Sequence, residues 1–158
     1  MLSRASSETN HWIGWVLRLI GLGVFVLAFF LQAVRSGAPG PDAIVFPGWK
    51  CASIALTQTV GLFNKSVAWP PPLAVLLVIF SGLINPLVGI NLLISFFSKL
   101  KIMRRILGVF IVLCMAATWW FFALQKVTPL AGHWLWIAGA LLILLPEVMP
   151  GRRSETAP

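Results

Sequence analysis

The sequence predicts an all-α membrane protein: four transmembrane helices plus a short outer amphipathic helix between the first and second spans. Of the 158 residues, 59% are hydrophobic and only 10% are charged, whereas a soluble domain needs about 25% charged residues to solvate its surface. The apolar residues form continuous runs, not the polar–apolar alternation of a membrane β-barrel. A bilayer core about 30 Å thick needs roughly 20 apolar residues per helix, and four segments have the length and composition to supply it. All of residues 1–158 therefore read as one integral membrane domain.

The first span covers about residues 12–34, "WIGWVLRLIGLGVFVLAFFLQAV". Arg4 and Arg18 before its apolar core give it some likeness to a signal peptide. "QAVRSGA" makes only a poor small-x-small cleavage site, so the segment is expected to stay as a span. Residues 35–47, "RSGAPGPDAIVFP", are expected to be irregular because Gly loosens the backbone and Pro removes a donor. The second span, residues 70–97, opens on a proline triplet suited to a helix start, where the missing N–H has no partner to lose. "SKLKIMRR", residues 98–105, places four cations in a turn ahead of the third span, about 106–124. A short loop leads to the fourth span, about 133–149, and a polar tail follows.

Cation placement orients these spans. With both termini and the 98–105 turn on the cytoplasmic side, that side holds Arg4, Arg18, Lys99, Lys101, Arg104, Arg105, Arg152 and Arg153. The other side keeps Arg35, Lys50, Lys65 and Lys126, so the balance is eight against four. The same layout sorts the tryptophans into two interfacial bands: Trp12 and Trp15 inside, and Trp49, Trp69, Trp119, Trp120, Trp134 and Trp136 outside. The net charge of +8 is thereby explained by the ends of apolar runs, and no nucleic-acid partner is expected.

Between the first two spans, residues 49–63 read as a helix. Trp49, Ala52, Leu56, Val60 and Phe63 recur every three or four positions as an apolar stripe, with Lys50, Thr57, Gln58 and Gly61 elsewhere on the wheel. At 1.5 Å per residue the segment is about 22 Å long, too short to span. It suits a helix lying on the outer surface or tucked partly between spans, and is expected to cap the outer ends of the spans or to offer a lid or partner surface.

"LQAVR", "PGWKCA", "INPLVGINLL" and "GHWLWIAGALLILL" in that order resemble a loosely defined set of small bacterial inner-membrane proteins. In that set an outward P-G-W-E-C segment precedes a span containing N-P-L, and the last span opens G-Y-x-L-W. Lys50 here stands for the acid of that pattern and His133 for its aromatic. The resemblance implies the four-span layout, a bacterial source and an inner-membrane location; the set has no assigned activity, so it implies no chemistry.

Polar residues inside spans are the candidate sites. Arg18, about 9 Å past Trp12 along a helix, is expected either to snorkel to the headgroups or to pair with Glu147 at the end of the fourth span. In the second span, Pro86 denies the carbonyl of Gly82 its donor, and Asn85 is placed to satisfy that backbone or to bond across to another helix. Gly82, Asn85 and Gly89 share a face of small residues. His133 is expected as an interfacial polar residue; His11 lies at the opposite membrane face, so the two cannot share a metal or haem. Cys51 and Cys114 lie at different depths and form neither a C-x-x-C pair nor a zinc pattern.

No cofactor, metal site or catalytic constellation is expected. Proton coupling needs a mid-span carboxylate, thiol oxidation a cysteine pair, and intramembrane proteolysis a nucleophile–base pair or metal motif. The expected role is a non-catalytic accessory or assembly subunit in the lipid bilayer, partnered by another membrane protein or a second copy of the chain (a homo-oligomer). The alternative is a small uniporter or channel without a proton-coupling carboxylate.

Overall fold

A computed structural model describes residues 2–37, 40, 43–64 and 72–148, with side chains from Trp12 onward except those of Phe63, Pro72 and Ser98. Arg4, His11, Phe63, Lys65, Trp69, the proline triplet 70–72, Arg152 and Arg153, which enter the sequence readings above, lie outside the described side chains. Among the described residues the chain is mostly helical: α1 Leu2–Phe30, α2 Gly48–Phe63, α3 Pro72–Ile94, α4 Lys101–Gln125 and α5 Ala131–Val148. Four stretches are long and apolar enough to cross a membrane: Trp12–Phe30, Leu73–Ile94, Lys101–Gln125 and Ala131–Val148.

These bounds refine the expected spans. The first ends at Phe30 instead of 34, and the third begins at Lys101 instead of 106. The cationic run is thus partly α4 itself, preceded by a 3₁₀ turn over Ser98–Leu100. α3 passes through Pro86 without ending, and α5 likewise through Pro146.

The segment expected to be irregular contains a β-hairpin. β1 (Gln32–Ser36) pairs antiparallel with β2 (Ile44–Pro47), with Arg35 opposite Val45, and β3 (Thr128–Pro129) adds to its other edge with Arg35 opposite Thr128. Unpaired peptide groups are costly wherever water is scarce, so the linkers at this end satisfy one another. Gly37 leaves the hairpin at φ 93°, a conformation open to glycine. Lys126, at φ 52°, closes α4 in a left-handed cap before β3.

α1 and α5 pack antiparallel along a seam of small residues. A Cβ on Gly139 would stand 2.8 Å from the Cα of Phe25, and one on Gly132 would stand 2.7 Å from the carbonyl oxygen of Gln32. Around this pair the core gathers Phe25 with Ile84, Val88, Ile111, Cys114, Met115, Ala140, Ile143 and Leu144. The opposite faces expose apolar side chains such as Leu19, Phe30, Ile106, Val109 and Leu113. Exposed apolar surface on this scale requires lipid or protein as its solvent.

α2 stands beside α3 instead of lying across the ends of the spans. Its Ala55 and Thr59 approach Gly82, where a Cβ would meet the Ala55 carbonyl at 2.8 Å and collide with the Thr59 hydroxyl. That hydroxyl lies 2.9 Å from the carbonyl of Ala55 and 3.1 Å from that of Val78, so its single proton ties α2 to α3. Thr59 near Val78 and Ala55 near Gly82 make the two helices antiparallel. The expected apolar stripe is not the packed face: Trp49, Leu56 and Val60 are exposed, whereas Thr59, Gly61 and Leu62 are buried. Small and hydroxylic residues permit the close helix approach that membrane packing favours, leaving the bulky apolar ones turned away.

Helix lengths place these parts along the molecule. From the level of Ser95, Arg104, Glu147 and Arg18, a rise of about 1.5 Å per residue carries α3 and α4 up about 31–35 Å, but α1 and α5 only about 18–24 Å. The sheet and α2 fill that difference. Gly48, where α2 begins, lies against Ala28 and Phe29, well below the far end of α3. The molecule thus has an arginine end, closed by helices alone, and a sheet end, where α2 and three strands complete the wall.

Candidate functional site

At the arginine end, α1, α3, α4 and α5 bring together polar side chains that the sequence scatters over 130 residues. Arg18 donates from Nη2 to Glu147 Oε1 in a buried ion pair. Arg18 and Glu147 are 8% and 6% exposed, so this is the partnership expected from the span layout and not a snorkelling arginine. Arg104, which the sequence reading did not assign to this pair, sets its Nε 3.2 Å from the same Oε1, out of hydrogen-bond alignment. Its Nη1 donates to the carbonyl of Ser95 at 3.0 Å, and Asn91 Nδ2 donates to the carbonyl of Arg104 at 3.1 Å. Arg105 Nε donates to the carbonyl of Glu147 at 3.3 Å.

Glu147 is thus bracketed by cations from two other helices, as burial of a carboxylate requires. The Arg18 guanidinium also sits 5.5 Å from the Trp15 ring centroid, a cation–π distance. Of Asn85, Asn91 and Ser95, the polar residues of this span that would line a conducting path, Asn91 and Ser95 are buried here, Asn91 on the Arg104 carbonyl and the Ser95 hydroxyl on the Leu92 carbonyl. Glu147 could have pointed to Arg104: a buried anion near the end of the fourth span needs neutralisation, and the cationic turn before the third span lies at the same level.

The sheet end is built differently. A cavity of about 290 Å³ opens there between α2, α3, α4, α5 and the hairpin. Much of its wall is aromatic, from Phe29, Phe46, Phe121, Phe122 and Trp136, and among the described residues none of its lining is an acid, a lysine or an arginine. Polar groups enter from each surrounding helix: Cys51 and Gln58 from α2, Ser81 and Asn85 from α3, Thr118 from α4 and His133 from α5.

Asn85 bonds across to α5, as one of its two expected roles required: Trp136 Nε1 donates to Asn85 Oδ1 at 3.0 Å. Pro86 beside it is exposed and takes no part in the wall. Of the expected small-residue face, Gly82 is spent on α2, while Gly89 has open space beside it. Thr118 donates to the carbonyl of Cys114 at 3.0 Å, leaving its oxygen able to accept.

His133, expected as an interfacial polar residue, lies inside the protein near the start of α5. It is 6% exposed and boxed by Trp119, Phe122 and Trp136, with ring centroids 5.6, 4.8 and 5.4 Å away. Its Nε2 is buried without a hydrogen-bond partner. The loop before α5 ends at Leu130, whose amide donates to the carbonyl of Ala33; this anchors α5 to the sheet and sets His133 inside the wall.

Trp49 is 57% exposed on the outside of α2. Cys51, facing inward from the same helix, has its Sγ 3.9 Å from the carbonyl of Phe46, and burial pushes its thiol up to about 11. Cys51 and Cys114 are both free thiols. Among the described residues no group of three histidine, cysteine or acidic side chains converges to hold a metal. Comparison with protein-family models, curated proteins and solved structures gives no match for this chain.

Proposed function

We propose that the chain is a non-catalytic accessory or assembly subunit of a membrane complex, residing in a bacterial inner membrane with both termini cytoplasmic. In this orientation the arginine end faces the cytoplasm, and α2 belongs to the outer half as a helix that is amphipathic toward a partner. The observation that carries the reading is the mixed character of α2's outer face. Trp49, Leu56 and Val60 are exposed there together with Lys50, Ser53 and Thr57. The helix stands beside the apolar outer half of α3, whose Leu73 and Leu76 are exposed. Lipid solvates the apolar members of this face but leaves the hydroxyl groups without partners. A neighbouring protein helix satisfies both kinds.

The test is affinity purification in a gentle detergent with mass spectrometry, beside a Leu56→Arg, Val60→Arg variant. A stoichiometric membrane partner, or a second copy of the chain, that is lost in the variant supports the reading. A monomer in both preparations refutes it. The cavity favours a second reading, a uniporter open at its outer side. Solute flux into proteoliposomes that disappears with Ser81→Phe would establish that reading instead.

A further inference from the structure

We infer that the sheet-end cavity is a binding site for a neutral, hydroxyl-bearing aromatic molecule of the phenol or hydroquinone class. This goes beyond the accessory role and does not depend on it.

The wall decides the class of ligand step by step. A cavity of about 290 Å³ is at the small end of ligand sites, so it holds one ring and a short chain and not a whole lipid. With no acid, lysine or arginine among the described residues of the wall, a charged ligand would lose hydration there without gaining a counter-ion. The ligand is therefore neutral. Five aromatic rings in the wall offer stacked and edge-on contacts to a planar ring.

The polar requirement comes from His133. A buried nitrogen without a partner is an unmet hydrogen bond in the free protein. A hydroxyl both donates and accepts, so once a turn of the ring brings Nε2 from among the aromatic rings to the cavity it pairs there in either neutral tautomer. Asn85 adds a complementary group. Its Oδ1 is held by Trp136, which fixes the amide with two donors still available for the ligand's oxygen. Trp136 thus stacks on His133 and orients Asn85 at the same time.

The probe is 4-propylphenol, measured by equilibrium dialysis against the full chain in nanodiscs, with empty nanodiscs subtracted. Propylbenzene and 4-propylbenzoate serve as comparators. Saturable binding of one phenol per chain is expected, at least tenfold tighter than propylbenzene, with no saturable benzoate binding. His133→Phe keeps the aromatic packing and should reduce phenol affinity at least tenfold while leaving propylbenzene unchanged. Ser81→Phe, which fills the cavity from α3, should abolish both. If His133→Phe does not fold, Asn85→Leu carries the same comparison. Equal affinity for phenol and propylbenzene, tighter binding of the benzoate, non-saturable uptake, or phenol binding that survives Ser81→Phe would each overturn the inference.

Discussion

Replacing Glu147 with Leu tests the closed arginine end most directly. The side chain keeps its approximate size, but Arg18 and Arg104 are left facing one another without an anion. Breaking a buried ion pair by removing one partner costs about 3–5 kcal/mol. One carboxylate serves two guanidiniums here, so the upper part of that range, about 4–5 kcal/mol, is expected. At about 1.4 kcal/mol per tenfold, that is a shift of roughly 10³ in the unfolding equilibrium. Arg18→Met is milder, about 1–3 kcal/mol, because Glu147 keeps Arg104 beside it. In the double variant the two costs overlap, and a coupling of at least about 1.5 kcal/mol is expected. Steric-trap unfolding in bicelles measures all three. A Glu147→Leu protein within about 1 kcal/mol of the parent, or strictly additive single costs, would refute the reasoning, since either result means the carboxylate is not what neutralises the two arginines.

Gly82→Val should detach α2 from α3, because its side chain collides with the Thr59 hydroxyl and the Ala55 carbonyl; a cost of about 1–3 kcal/mol and faster proteolysis within 48–63 are expected, and unchanged proteolysis would count against the packing described. Cys51 should react with a soluble maleimide about 100-fold more slowly at pH 7.5 than an unhindered thiol, since a thiol that titrates near 11 holds its proton there and only the thiolate attacks. Its rate should climb about tenfold per pH unit up to pH 10, and fast, pH-independent labelling would contradict the burial. Asn85→Leu removes the acceptor for Trp136 Nε1; a loss of about 0.5–1.5 kcal/mol in bicelle unfolding is expected. In whole cells an impermeant maleimide should label a cysteine at Lys126 and spare one at Lys101, and the reverse pattern would invert the proposed orientation.

The arginine end was legible in the sequence because charge in hydrocarbon has few solutions. The topology placed Arg18 inside one span and Glu147 near the end of another at one level, which left two outcomes, snorkelling to the headgroups or pairing, and the structure has the pair. The sheet end was less legible, for two physical reasons. Hydropathy periodicity assumes that apolar residues turn inward, but in lipid the outside is apolar too; the stripe of Trp49, Leu56 and Val60 was visible, yet its direction was reversed by Thr59 and Gly82 packing together. Residues 35–47 carry glycines and prolines that signal irregular chain, yet their ends pair in the hairpin of β1 and β2, and residues 128–129 add a third strand from far along the chain. The burial of His133 was hidden for a related reason: nothing at a span start signals that the loop's bond to Ala33 sets the side chain inside the wall.

The two ends divide the work of the fold in a way that bears on function. At the arginine end the buried side chains bond chiefly to one another and to backbone carbonyls, with Arg18 Nε, Arg104 Nε and Asn91 Oδ1 left without hydrogen-bond partners. At the sheet end, α2 is joined to α3 through Thr59 and Gly82 and to the end of α1 through Gly48, and it borders a cavity lined by further polar groups. Elements that must admit a ligand or a partner come from the less stable part of a structure. The polar residues of α3 follow the same division: Asn91 and Ser95 serve closure and Asn85 serves the cavity, although all three lie in one apolar span. Depth along the helix, more than residue type, sets what each of them does.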